Sequence, residues 1–137
     1  MNASGAGGPA DDFVISIAWF GESDKPPREA LLASPSRAAS IEADPLVEVA
    51  TISRTEFDAA VAAIRSRGPE LRDGHPQMDL DGYAAVVDDG GAVHHAALGL
   101  DAGTAGHLEA IAAALEPDHR GPVDAVLDQV RALVGGG

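Results

Sequence analysis

The sequence predicts an α+β fold: a largely antiparallel sheet of four or five strands, with two or three helices packed mainly on one face. Three observations predict it. Residues 81–116 read as strand, tight turn, strand and capped helix in one run. Ser53-Arg54-Thr55-Glu56 is a capping box directly after an apolar strand-like segment. Gly121-Pro122 opens a third stretch with apolar residues at helical spacing.

Element by element, the first eleven residues are rich in Gly, Ala and Ser and predict a flexible tail. Residues 12–134 then form one domain, and a glycine tail, 135–137, ends the chain. Phe13, Ile15, Ile17 and Trp19 alternate onto one strand face, and Val14, Ser16, Ala18 and Phe20 onto the other. Both faces are largely apolar, which fits a central strand. Residues 21–27 make a polar loop stiffened by Pro26 and Pro27. Residues 28–33 suit a short returning strand; residues 37–44 suit either a helical turn or a strand. Residues 46–52 read as a further strand.

In the capping box, Ser53 should accept the Glu56 amide while Glu56 reaches back to the Ser53 amide. Phe57, Ala60, Val61 and Ile64 form the stripe of that helix, which Gly68-Pro69 stops. Residues 69–82 read as a polar connection. The strand 83–87 meets Asp88-Asp89-Gly90-Gly91, a turn able to take positive φ, and the chain returns over 92–100. Thr104 then opens a helix with the stripe Leu108, Ile111, Ala112 and Leu115, with Asp101 as a competing cap. The third helix carries Val123, Val126, Leu127, Val130 and Val134. Intervals in the two strand–helix halves echo each other, as convergent capping or a duplicated unit would produce.

With 137 residues, folding buries roughly two-thirds of the unfolded surface. Aromatics are only 4% of the chain, so the core must rest on Ala, Val, Leu and Ile. Such a core gains little per residue at about 25 cal/mol per Å² buried. Modest stability, or added burial through self-association, is the expectation.

Composition also narrows the function classes. There is no cysteine, which removes thiol nucleophiles, thiolate metal sites and disulfides. No apolar run approaches the roughly 18 residues of a membrane span, and the N-terminus lacks the basic and apolar regions of a signal peptide. A cytoplasmic location is therefore expected. The formal charge of −13 repels phosphate backbones and anionic lipid, arguing against nucleic-acid or membrane partners; it serves solubility first, and would also speed encounter with a basic protein.

Reactive constellations are weak. His94 and His95 are adjacent in a strand and project to opposite faces, so a metal would need one of them with His75, His107 or His119. Asp79-Leu80-Asp81-Gly82 begins like a calcium loop but lacks its later ligands. The glycine-rich run 99–106 matches no phosphate-binding spacing and carries Asp101. Ser34, Ser36 and Ser40 belong to no nucleophile motif. The expectation is no catalytic residue, no metal and no cofactor.

Trp19 and Phe20, beside the acidic loop residues Glu22 and Asp24, are the candidate partner-binding set. The run Tyr83 to Val87, Asp88-Asp89-Gly90-Gly91, Val93-His94 and the apolar helix behind it resembles the emfourin-type inhibitors of thermolysin-like proteases. Residues 13–52 depart from that pattern in lacking a glycine-rich first hairpin, and no inhibitory residue carries over. The resemblance implies an inhibitor-like binding protein. From the absence of nucleophile, metal and phosphate signatures together with the strong negative charge, the leading expectation is a non-enzymatic binding or regulatory module for a macromolecular partner, for example an inhibitor. Its alternatives are an enzyme using dispersed His and Asp residues on a small ligand or metal, and a structural assembly subunit that self-associates.

Overall fold

The computed structural model describes residues 12–20, 28–41, 47–67, 71–74 and 82–135. The chain runs β1 (Phe13–Phe20), β2 (Glu29–Ala33), α1 (Pro35–Ser40), β3 (Val47–Thr51), α2 (Arg54–Arg67), β4 (Arg72–Asp73), β5 (Gly82–Asp89), β6 (Ala92–Gly99), α3 (Ala102–Ala113), a 3-10 turn (Pro117–His119) and α4 (Gly121–Gly135). The fold is α+β, with one six-stranded mixed sheet in the order β3-β2-β1-β5-β6-β4 and four helices among the described residues. The sheet is wider than expected, and it is not wholly antiparallel. β2 and β3 run parallel, Ala30 beside Glu48 and Ala33 beside Thr51, because α1 returns the chain between them. α1 begins at Pro35 behind Ser34, whose Oγ accepts the Arg37 amide at 3.3 Å. It buries no residue of its own, so no apolar stripe announces it. The sixth strand is the two-residue β4 within the polar connection, paired with His94 and His95.

β1 is central. It pairs along its whole length with β5, from Phe13 beside Asp89 to Phe20 beside Gly82, and with β2 on its other side. Its first face joins the core as expected, where Phe13, Ile15 and Ile17 are buried and Trp19 packs at the margin. Leu32, Tyr83, Ala85, Val87, Ala96 and Leu98 continue that face across the sheet. Over it lie α2, α3 and α4, with α3 between the other two. Leu108 and Ile111 of α3 and Val123, Val126 and Val130 of α4 are buried against the sheet layer. The second face of β1 is also closed at Val14 and Ala18. The two strand–helix halves differ in topology, since β2 and β3 are parallel whereas β5 and β6 form a hairpin.

That hairpin turns on Gly90 and Gly91, at φ 65° and 100°, as a two-residue primed turn demands. Asp88 Oδ1 accepts the Gly91 amide at 2.8 Å, and the Gly90 amide donates to the Asp12 carbonyl at 2.7 Å. At the far end the β5–β6 register shifts between Tyr83 and Ala84, and Gly99 takes φ 78°. Gly82 packs there so closely that an added Cβ would stand 2.9 Å from the Gly99 backbone. A side chain must therefore push one strand away from its neighbour. Gly82→Ala is expected to destabilise by about 1–3 kcal/mol and to lower Tm by ~5–10 °C in a calorimetric scan. An unchanged Tm would show that the strands separate freely.

Candidate functional site

The starts of α1, α2 and α3 are each held by a side chain. Glu56 accepts from the Ser53 amide at 3.0 Å, and the Glu56 amide donates to Ser53 Oγ at 3.2 Å, completing the capping box. α3 begins earlier than Thr104. Asp101 is its cap, accepting the Thr104 amide at 3.1 Å, while Thr104 Oγ1 accepts from the Asp101 amide and donates to the Leu98 carbonyl at 2.8 Å. The run 99–106 is therefore a helix-capping device. Ser34, which belongs to no nucleophile motif, is buried and accepts the Phe13 amide at 3.3 Å.

Glu56 does more than close the capping box. Its Oε2 accepts the Glu116 amide at 2.9 Å and lies 2.8 Å from His119 Nδ1. The carboxylate is buried, which alone would raise its pKa. Hydrogen bonds from the Ser53 and Glu116 amides, then from His119 and the Ser53 hydroxyl, outweigh that and bring it down to about 2. One ionised carboxylate thus ties the start of α2 to the turn between α3 and α4.

Among the described residues, a concave feature lies between α2 and the β5–β6 hairpin. It is an open groove of about 370 Å³ with Phe57, Val61, Leu71 and Val87 as its apolar lining. Asp58, Arg65, Asp89 and His94 supply its polar rim. Arg54 ties three of the groove's lining residues, Phe57, Asp58 and Asp89, together. Its guanidinium binds Asp89 through two hydrogen bonds of 2.9 and 2.8 Å and lies 3.4 Å from Asp58. The same group sits 5.4 Å from the Phe13 ring centroid and 5.0 Å from that of Phe57, with the two rings 4.7 Å apart. The hydrogen bonds from Arg54 hold the Asp89 carboxyl below its usual range, against the opposing effect of burial.

His94 and His95 do project to opposite sides. His94 lines the groove with Nδ1 3.0 Å from Asp73 Oδ1, and His95 Nδ1 lies 2.8 Å from the Gly74 carbonyl. The Asp73 side chain is 96% exposed, so the His94 pair stands in solvent. No group of three or more metal-ligating side chains comes together among the described residues. His75 and residues 79–81 lie outside them.

Of the predicted partner-binding set, Trp19 stacks edge-on against Tyr83, ring centroids 5.3 Å apart, and packs against the core. Trp19 Nε1 and Tyr83 Oη are buried and make no hydrogen bond among the described residues. Burial, helped by the charge of Glu29, pushes the Tyr83 phenol up to about 12. Phe20 ends β1 opposite Gly82, while Glu22 and Asp24 lie outside the described residues. The sequence did not single out the groove. Its walls come from 57–65, 71 and 87–94, and only folding brings them together.

No known protein-family model matches the chain, and neither a curated protein nor a solved structure matches it.

Proposed function

We propose that the chain is a non-enzymatic binding module, regulatory or inhibitory, and that the groove between α2 and the β5–β6 hairpin receives an apolar side chain of a basic protein partner. The observation that carries this reading is the apolar lining of the groove, Phe57, Val61, Leu71 and Val87, on a chain of net charge −13. Apolar contact supplies affinity at such a site. The acidic field steers a cationic partner and rejects anionic ones.

The test is capture followed by measurement with the purified partner. Binding by calorimetry is expected to weaken as salt rises, and Val61→Asp, which places a charge in the lining, is expected to weaken it by roughly tenfold or more. Equal binding by the variant would remove the groove from the reading. Failure of any basic protein to bind at every salt concentration would remove the partner.

The His94–Asp73 pair at the groove favours a second reading, in which the site holds a small ligand and His94 exchanges a proton with it. Soaking a fragment mixture and following the His94 ring signals by NMR separates the two. Fragment-induced shifts at His94 support the second reading, and a silent ring opposes it.

A further inference from the structure

β3 is the outermost strand on its side of the sheet. The Ile52 amide donates to the Ala33 carbonyl at 2.9 Å. Hydrogen bonds alternate along a parallel ladder, so the backbone groups of Glu48 and Ala50 face β2 and those of Val47, Val49 and Thr51 line the outer edge. Among the described residues no strand pairs with that edge. Edge strands are commonly blunted by lysine, proline or a bulge. β3, with sequence Val-Glu-Val-Ala-Thr and an unbroken register to β2, has none of these.

The large apolar side chains exposed among the described residues are Val49 at 38%, Leu133 at 50% and Val134 at 39%. Val49 stands on β3, and the other two on the last turn of α4.

We propose that two copies of this chain pair their β3 strands antiparallel about Val49, joining their sheets into one. The strand is complementary to itself in that register. Val49 meets Val49 of the second copy, Val47 meets Thr51, and Glu48 meets Ala50, so no two carboxylates stand opposite each other. Centring the pair on Glu48 would set like charges face to face. With Val49 at the centre, the outward backbone groups of both strands exchange about six hydrogen bonds. The force opposing association is repulsion between two bodies of charge −13, and salt screens it. This pairing uses β3 and not the groove, so its salt dependence has the opposite sign to that of basic-partner capture.

The test is sedimentation velocity on the full chain over a range of concentrations, at about 50 mM and about 500 mM salt. A monomer–dimer equilibrium is expected, with Kd falling several-fold at the higher salt. Val49→Asp is expected to raise Kd by roughly tenfold or more with an unchanged circular dichroism spectrum, because it opposes two carboxylates at the centre. In this cysteine-free chain, oxidising Val49→Cys is expected to give a covalent dimer. The proposal is overturned by a chain that stays monomeric at both salts up to ~1 mM. It is equally overturned by folded Val49→Asp dimerising like the parent, or by a Val49→Cys chain that dimerises without cross-linking.

Discussion

Replacing Glu56 with alanine is expected to remove about 3 kcal/mol of folding stability, the largest effect foreseen for a polar residue. The fall of its pKa from 4.5 to about 2 corresponds to that amount. The substitution also leaves the Ser53 and Glu116 amides and the His119 ring without their acceptor. Because the folded pKa lies below the unfolded one, this contribution is complete above about pH 4.5 and is lost as pH falls towards 2. Urea unfolding midpoints at pH 6, 4 and 2.5 check it. The parent chain should lose stability on acidification more steeply than Glu56→Gln, which keeps an amide oxygen but has no charge to titrate. Parallel curves for the two proteins would show that the carboxylate is not ionised by its surroundings.

Ile111→Ala is expected to cost about 3–4 kcal/mol. Ile111 is fully buried in α3, the helix held between α2 and α4, so neighbours on three sides cannot all collapse into the space left. Much of the surrounding core is alanine, including Ala60, Ala85, Ala96 and Ala112, and short side chains have no reach with which to fill a void. For a chain of this length the loss should lower Tm by ~10–15 °C. A loss under about 1 kcal/mol would mean that the helix layer repacks.

How much of this was legible beforehand follows from how local each signal is. The capping box, the Gly90-Gly91 turn and the apolar alternation of β1 each sit within a few adjacent residues, and the structure carries them as read. α1 was ambiguous because a six-residue helix that buries nothing has no stripe to display. The parallel pairing of β2 with β3 was invisible for the same reason, since only that crossover implies it. Thr104 and Asp101 compete on paper as the start of α3, because both precede its apolar stripe. Asp101 wins as cap because Thr104 is committed to the Leu98 carbonyl. The link from Glu56 to His119 spans 63 residues, and the groove gathers three segments. Neither long-range link leaves a mark in the linear pattern.

The edge-on contact between Trp19 and Tyr83 gives this chain a built-in optical reporter. Trp19 is the sole indole in the sequence, and its partner is the sole phenol. Light absorbed by the phenol passes efficiently to the indole only while β1 and β5 remain side by side. Intrinsic emission therefore follows the opening of the sheet's centre at a single, assignable place, with no added dye.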